Sequence, residues 1–331
     1  MNQSDNFLLR RRSLLALALA AGALASPWAA AQSGSGKTVR LIVAGPPGGS
    51  ADLVARLIAE PLARELGQTV IVDPKPGAAG AIAVGELLQA PHDGLTLLVG
   101  VNSLVSEIPH IVKLRWDMAQ AIRPVAELAR GCLVLVANPS LPVATVPQLV
   151  AYAKAHPGKL SYASYSPGTM SHVLGLVLNE SAGIDLLHVG YKGSTGGLAD
   201  VMGGHVPLMF DGVATSLPMV RSGKLKALAV STPQRLPQLP DVPTFREAGF
   251  PQLDAVAWMG LWCPPDVAAP VQARLRAATL KLLADPALRS RMLDTGFEAG
   301  QPRAPEDMTR ELRADYDRVG GVLKSVGFKP E

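Results

Sequence analysis

The sequence predicts an α/β protein with two lobes. Short apolar runs typical of buried strands alternate with stretches of helical spacing, and this order favours a parallel sheet with crossover helices. Two Pro/Gly-containing loops, residues 43–52 and 164–169, each lie between a strand-like and a helix-like run. The chain has 331 residues, and the roughly three hundred that follow an N-terminal export segment exceed the usual size of one core. Two lobes with one such loop each predict a ligand held between them.

Residues 1–31 have the composition of an export signal. Arg10-Arg11-Arg12 precedes an apolar Leu/Ala run at 14–24, and a small-residue segment ends at Ala31, which is the order of regions in a secretory signal. A membrane anchor is the weaker interpretation, because a spanning helix needs about 20 strongly apolar residues. Arg11-Arg12 also resembles a twin-arginine signal. Both the Sec and the twin-arginine route therefore stay open.

The first series of elements follows from apolar periodicity. We predict strands at 39–44, 69–72 and 96–101 and helices at 51–66 and 80–88. The second series is predicted to contain strands at 133–136, 208–210 and 227–231, and helices from Thr145, at 170–181 and at 198–202. Thr145-Val146-Pro147-Gln148 matches a capping box. After the run 258–263 the pattern is only helical, and helices at 268–284, 286–294 and 305–323 are expected to pack against an existing sheet.

The two crossings between the lobes are predicted from the positions at which the first series ends and resumes. The chain is expected to leave the first lobe near Cys132 and to return near Trp262-Cys263, which gives a first lobe of 32–132 plus 263–331 and a second lobe of 133–262. If the crossing strands run side by side, a disulfide between Cys132 and Cys263 is possible, since it requires Cα atoms ~4.4 to 6.8 Å apart. Two separate buried thiols are the alternative.

Composition and missing motifs narrow the function. The formal net charge is +4, and removal of the signal leaves about +2, too little for an electrostatic nucleic-acid surface. The hydrolase, zinc-protease and dinucleotide motifs Gly-x-Ser-x-Gly, His-Glu-x-x-His and Gly-x-Gly-x-x-Gly are absent from the sequence. Two cysteines alone cannot make a structural zinc site. We therefore expect no nucleic-acid partner, no metal and no cofactor.

The loop 43–52 has the features of an anion site. Its adjacent glycines, Gly48 and Gly49, let the backbone approach a ligand where a Cβ would intrude, and a following helix would point its free N–H groups and positive dipole end at the ligand. Ser50 and Asp52 fall in the first turn of that helix, where capping explains them as well as ligand contact does. The loop 164–169 is the second candidate of this kind.

Other polar residues have two interpretations each. His172 could donate to an anion or satisfy local backbone groups, and Asp211 follows a strand that would deliver it into a cleft or into a turn. Tyr191-Lys192-Gly193-Ser194 could present a hydroxyl and N–H groups at a helix start. Trp258 and Trp262 are expected to be core residues rather than ligand contacts.

Taken in order, these segments resemble the Bug or TctC family of periplasmic solute-binding proteins of tripartite tricarboxylate transporters. The resemblance covers almost all of the mature chain. It begins at Pro46-Pro47-Gly48-Gly49-Ser50-Ala51-Asp52 and continues through the segments 76–80, 93–98, 157–164, 188–193, 209–211 and 239–244.

The resemblance implies a type II periplasmic-binding fold with two α/β lobes joined by a two-crossing hinge. It implies a carboxylate held between the loops 43–52 and 164–169, partly through ordered waters, in a non-catalytic monomer of the periplasm. The implied partners are a small organic carboxylate and the large and small membrane subunits of the transporter. The predicted ligand-binding residues are Pro47, Gly48, Gly49, Ser50, Asp52, Asn102, Ser103, Ser166, Gly168, Thr169, His172, Tyr191 and Asp211.

The chain departs from the family pattern at three positions. Gly45 replaces a common aromatic residue and would enlarge one wall of the pocket, Ser166 replaces a common glycine, and Gly190 replaces a frequent proline. Two other functions stay open: a ligand sensor that presents its closed form to a signalling receptor, and a periplasmic enzyme that uses Asp211, Asp52 or His172 as acid-base groups.

Overall fold

The computed structural model describes residues 36–325, without the side chains of residues 322 and 325. The predicted export signal at 1–31 lies outside the described residues. Among residues 36–325, no helix is both long enough and apolar enough to cross a bilayer.

The described chain alternates strands and helices, and it contains further short elements beyond those predicted, including a two-residue strand after position 263, where only helices were expected. The strands are β1 (Val39–Val43), β2 (Val70–Pro74), β3 (Thr96–Val101), β4 (Arg123–Ala137), β5 (Ser161–Ser164), β6 (Leu187–Gly190), β7 (Leu208–Gly212), β8 (Lys226–Val230), β9 (Val256–Cys263) and β10 (Glu298–Ala299). The helices are α1 (Ser50–Leu66), α2 (Ala81–Gln89), α3 (Ser103–Ser106), α4 (Met118–Ala121), α5 (Val146–Ala155), α6 (Met170–Ala182), α7 (Ser194–Gly203), α8 (Val213–Arg221), α9 (Ala269–Leu283), α10 (Pro286–Asp294) and α11 (Pro305–Ser325). Short 3₁₀ turns occur at Ala78–Gly80, Ile108–His110 and Pro251–Leu253.

The strands form two sheet halves that share the long strand β4. The hydrogen-bonded order is β2-β1-β3-β9-β4-β7-β5-β6, with β10 and β8 also paired to β4. The part of β4 from Arg123 to Cys132 pairs with β9, and the part from Leu133 to Ala137 pairs with β7 and β8. Within each half the outer strands are parallel, as the crossover pattern predicts. The two halves are the two lobes of the fold.

Each lobe has its own hydrophobic core. In the first lobe, α1 packs Ile58 and Leu62 against the sheet, and Trp258 and Trp262 of β9 stack with ring centroids 5.3 Å apart on the other side. In the second lobe, Tyr162 packs against the buried Phe210 of β7, with ring centroids 6.1 Å apart. The tryptophans are core residues, as predicted. Helices α9 and α11 pack on β4 instead of carrying strands of their own.

The cysteine pairing proposed as possible is not formed. Cys132 and Cys263 are both free and buried. The strands β4 and β9 do run side by side, but they are antiparallel, with Cys263 opposite Arg123 and Cys132 opposite Val256. A separation of seven residues along a strand corresponds to roughly 20 Å, far beyond disulfide distance. Burial raises the pKa of both thiols, to about 12 for Cys132 and about 11 for Cys263.

The strand pairing also bears on the predicted lobe boundaries. All of β9 pairs in the first lobe, with β3 and with the first part of β4. The return crossing therefore lies before Val256, whereas the sequence placed it at 262–263. The division into separate moving lobes at these boundaries stays a prediction.

The first part of β4 is a strand that apolar periodicity does not indicate, because it carries charged residues. Glu127 is fully buried, and Arg130 donates to its carboxylate from Nε at 2.6 Å and from Nη2 at 3.0 Å. Arg303, from the segment before α11, donates to the same carboxylate at 3.3 Å. A buried carboxylate needs such partners. This cluster therefore ties the crossing strand to the C-terminal part of the chain.

Glu107, between α3 and the 3₁₀ turn Ile108–His110, is a second fully buried carboxyl group. Ser106 Oγ donates to one of its oxygens, and the other has no hydrogen-bond partner among the described residues. The pKa of Glu107 is raised to about 7, chiefly by burial. The nearby Asp315 contributes to this rise, and Arg318 opposes it.

We expect Glu107→Gln to remove part of the pH dependence of stability. Between the ordinary Glu pKa of 4.5 and the folded value of about 7, the folded protein binds this proton more tightly than the unfolded chain does. The free energy of unfolding should therefore fall as the pH rises through that window, by about 3 kcal/mol from this group. Urea unfolding at pH 5, 6, 7 and 8 should show the variant gaining stability relative to the parent as the pH rises. The exposed Glu306→Gln is the control, and parallel pH profiles for parent and Glu107→Gln would contradict this assignment.

Candidate functional site

A cavity of about 320 Å³ lies where the two lobes meet. The first lobe contributes the loop from β1 to α1, the turn before α2 and the region of α3; the second contributes the loops that follow β5 and β6. The lining residues are Ala44, Gly45, Pro46, Gly49, Ser50, Ala51, Gly77, Ala78, Ala79, Gly80, Val101, Leu104, Ile108, Val112, Tyr165, Ser166, Pro167, Thr169, Tyr191, Lys192, Gly193 and Ser194.

Helix N-termini from both lobes meet at this cavity. Helices α1, α6, α7 and α2 begin after Gly49, Thr169, Gly193 and Gly80, and all four of these residues line the cavity. In the described structure none of these four starts has a side-chain cap. The first N–H groups of a helix have no partner within the helix, and they carry its positive dipole end. The cavity therefore offers several N–H donors to an anion without requiring a cationic side chain.

The loop from β1 to α1 is held in shape by Asp52. This buried carboxylate accepts the N–H of Gly48 at 2.8 Å and the Nε–H of Arg56 at 2.8 Å. Gly48 has φ +73°, a conformation that favours glycine. Asp52 does not line the cavity, and Arg56 balances its charge. Its Oδ2 therefore shapes the loop, while its Oδ1 is buried without a hydrogen-bond partner among the described residues.

Tyr165 lines the cavity and is bonded within the second lobe. Its hydroxyl accepts the N–H of Gly212 and contacts the carboxyl group of Asp211. Burial raises the pKa of Tyr165 well above its usual value, and the neighbouring Asp211 adds to this shift. The Ser50 Oγ lies near this hydroxyl yet completes no hydrogen bond with any described residue. The Ser50 hydroxyl is therefore a buried polar group beside Tyr165, at the start of α1.

Asp211 organises the helix starts of the second lobe. It is fully buried and accepts hydrogen bonds from the hydroxyls of Ser194, Thr215 and Ser216. Burial raises its pKa, and these hydroxyls act in the opposite direction. Ser194 is the first residue of α7, and the other two belong to α8. The carboxylate therefore fixes both helices relative to β7.

His172 holds the loop 164–169 and does not line the cavity. Its Nδ1 accepts the N–H of Gly168 at 3.2 Å, and its ring stacks on His188 with centroids 3.9 Å apart. Burial lowers the pKa of His172 to about 3 and that of His188 to about 4. Both rings are therefore neutral near pH 7, and neither supplies a positive charge to the site.

A left-handed turn forms another wall. Ala78 and Ala79 line the cavity with φ values of +47° and +50°, and the flanking Gly77 and Gly80 also have positive φ. A non-glycine residue in this region carries a strain of about 1 to 2 kcal/mol. Such strain is typical of ligand-binding segments, and the turn is a part of the site that the predicted residue set lacks.

The lobes touch through glycines. A Cβ on Gly193 would lie 2.3 Å from Pro46 Cδ, and one on Gly168 would lie 2.9 Å from the Cα of Ile108. Both glycines belong to the second lobe, and both contacted residues belong to the first. These positions need glycine for the close approach as well as for their positive φ.

The structure brings some of the predicted site residues to the cavity wall and places others behind it. Those that line the cavity are Gly49, Ser50, Ser166, Thr169 and Tyr191. Gly48, Asp52, Gly168, His172 and Asp211 lie in the layer that shapes the loops and helix starts, and Pro47 is exposed. Asn102 and Ser103 are buried; Asn102 Oδ1 accepts the N–H of Trp258 at 3.2 Å. The assignment of this set to ligand binding stays a prediction.

The prediction lacked Tyr165 and the turn Gly77–Gly80. No sequence motif marks Tyr165 as a site residue. Its position within the loop 164–169 was the feature of the sequence from which it could have been predicted. The segment 76–80 was noticed only as part of the family resemblance, because a left-handed Ala-Ala pair has no sequence signature.

Comparison with known proteins identifies the type of protein to which this chain is similar. A family model described as tripartite tricarboxylate transporter family receptor matches residues 54–328. The R. palustris protein Rpa4515, solved with adipate, is 30% identical with a TM-score of 0.85 over 89% of this chain and 98% of that one. The periplasmic binding protein BugD is 30% identical with a TM-score of 0.83 over 89% and 99%. MatC (Rpa3494) from Rhodopseudomonas palustris, with bound malate, is 31% identical with a TM-score of 0.81 over 86% and 98%.

We expect Asp211→Asn to destabilise the protein. The amide places an NH₂ group against hydroxyls that now donate, so at least one buried hydrogen bond is lost, which corresponds to about 2 kcal/mol. Urea unfolding should show this loss, whereas the exposed Asp241→Asn should change the free energy of unfolding by less than about 0.5 kcal/mol. Equal stability of the two variants would remove the structural role from Asp211.

Proposed function

The chain belongs to the tripartite tricarboxylate transporter receptor family, and we propose that it is a periplasmic solute-binding protein. In this proposal it captures a small organic carboxylate between its lobes and delivers it to a tripartite tricarboxylate-type membrane transporter. Adipate and malate in the related structures support a carboxylate ligand. The proposal includes the export of the chain through its N-terminal segment.

The observation that carries the proposal is the convergence of the uncapped starts of α1, α6 and α7 on one cavity. A carboxylate there can accept backbone N–H groups from both lobes at once. A hydrogen bond to a charged group contributes about 1.5 to 3 kcal/mol. Four such bonds, less the free-energy cost of ordering the ligand and the lobes, correspond to a binding free energy of about −8 kcal/mol, which is a micromolar Kd.

The acid-base residues of the enzyme alternative are poorly placed for catalysis. Asp52 is bonded to Gly48 and Arg56, Asp211 is enclosed by hydroxyls, and His172 accepts a backbone N–H. None of the three lines the cavity. A general acid or base must reach the proton that it transfers. The arrangement therefore favours binding without reaction, and the proposal is a non-catalytic protein.

Native mass spectrometry of freshly purified mature protein, followed by a thermal-shift screen of organic acids, tests the proposed class. We expect a bound or strongly stabilising carboxylate, with adipate and malate among the first probes. Ligand-dependent stabilisation should vanish when the acid is replaced by its amide, since the charge is lost. No shift with any acid across the screen would contradict the proposal.

We further expect Gly193→Ala to weaken carboxylate binding at least tenfold. The new Cβ would overlap Pro46, so the lobes could not reach the approach that brings the start of α7 to the ligand. Gly204→Ala is the matched control, because Gly204 ends the same helix at φ +79° and its Cβ would meet only Asn138 Nδ2, at 3.7 Å. Isothermal titration calorimetry with the acid found in the screen measures the carboxylate affinity of both variants. Equal losses of affinity would attribute the effect to backbone strain and not to closure.

A further inference from the structure

The hydrogen-bonding capacity of the cavity is concentrated at the helix starts. Away from them the wall consists of apolar side chains of the first lobe: Ala44, Ala78, Ala79, Val101, Leu104, Ile108 and Val112. Leu104 is buried and fills the space beside Gly80 and Gly100, where a Cβ would lie 2.4 and 2.6 Å from its methyl groups. This part of the wall is therefore closely packed.

Most polar side chains of the lining are already engaged within the protein. Thr169 Oγ1 donates to the carbonyl of Ser166 at 2.8 Å, Tyr191 donates to Asp200 at 2.5 Å, and Ser194 donates to Asp211. Lys192 is the cationic side chain in the described lining, and it is exposed. An ammonium group at the surface stays hydrated and contributes little to a buried contact. At the start of α2 the N–H groups of Gly80 and Ala81 already bond the carbonyls of Gly77 and Ala78. The free donors of the cavity are therefore chiefly backbone N–H groups at the starts of α1, α6 and α7, and these suit one anionic group.

Gly45 extends the apolar part of the cavity. A Cβ at this position would meet only the Cβ of Ala51, at 3.9 Å, so space that a side chain would occupy belongs to the cavity instead. The volume of about 320 Å³ corresponds to about ten water-sized groups at ~30 Å³ each. A ligand can therefore carry a sizeable apolar body.

We infer that the ligand is a monocarboxylate with an apolar body, in which the carboxylate accepts N–H groups at the helix starts and the remainder packs on the first-lobe wall. This inference rests on the proposed function and names the ligand class of the same site. It separates this chain from the related structures that hold the dicarboxylates adipate and malate.

The physical reason is desolvation of a second charge. A carboxylate buried against alanine, valine, leucine and isoleucine side chains loses its hydration without gaining a partner, and this weakens binding. An apolar group at the same place strengthens binding with each CH₂ that is removed from water. A ligand with one carboxylate and an apolar remainder therefore suits both parts of the cavity: the carboxylate binds the N–H groups at the helix starts, and the remainder packs on the apolar wall.

The decisive comparison is hexanoate against adipate, which share a six-carbon chain and differ by one carboxylate. Isothermal titration at pH 8 of the mature protein, freed of any retained ligand by unfolding and refolding, should give a Kd for hexanoate at least tenfold lower than that for adipate. Tighter or equal binding of adipate would overturn the inference and would point to the turn Gly77–Gly80 as a second anion site. Binding of other acids without binding of hexanoate would also overturn the inference while leaving the proposed function intact. Failure of every acid would refute the proposed function itself.

A variant can reverse the preference. Val112 lines the cavity and is only partly buried, so Val112→Arg can bring a guanidinium to the apolar wall while its stem stays packed. We expect the hexanoate-to-adipate preference to shift at least tenfold towards adipate, whereas Val112→Met should keep the parent preference. If a folded Val112→Arg protein still prefers hexanoate to adipate as the parent does, the inference that the apolar wall selects the ligand is contradicted. If Val112→Arg does not fold, the parent comparison of hexanoate with adipate decides the inference alone.

Discussion

The geometry of the site depends on one strand that belongs to both lobes. Because β4 pairs with β9 along its first part and with β7 and β8 along its second, the two sheets keep a fixed relation at this strand. The parallel strands β1, β5 and β6 then end near the same cavity, and each leads into a helix. Ligands of open α/β sheets bind outside the carboxyl ends of the strands. Here two such edges face each other across β4, so helix starts from both lobes converge.

This convergence supplies positive potential without buried cations. The carboxylates nearest to the site, Asp52 and Asp211, each accept hydrogen bonds from protein donors, and the stacked histidines are neutral because burial lowers their pKa values. Backbone N–H groups therefore remain as the chief donors. A site of oriented dipoles costs less to desolvate than a buried ammonium or guanidinium would.

The sequence predicted much of the fold and less of the site. Apolar periodicity predicted both ends of β3 and of α10 correctly. The predicted capping box at Thr145 is also present, since the Thr145 hydroxyl accepts the N–H of Gln148. The first part of β4 was missed because Glu127 breaks the apolar pattern, and its burial depends on Arg130 and on the distant Arg303. Of the two alternatives left open for the cysteines, the structure has the separate buried thiols, because adjacency of two strands does not fix their direction. Asp52 and His172 were recognised as candidate ligand contacts or capping residues, but only tertiary structure shows that they bond the two loops and do not line the cavity.

In the proposed function, the ligand contributes to closure of the lobes. Gly193 meets Pro46 and Gly168 meets Ile108 at close range, and Val173 of the second lobe packs with Ile111 and Val319 of the first. A ligand can shift a conformational equilibrium only by its difference in affinity for the two states. An acid that accepts N–H groups from α1 in one lobe and from α6 and α7 in the other has all these bonds only when the lobes are closed. In the proposed function this difference in bonding favours the closed lobes when the site is occupied.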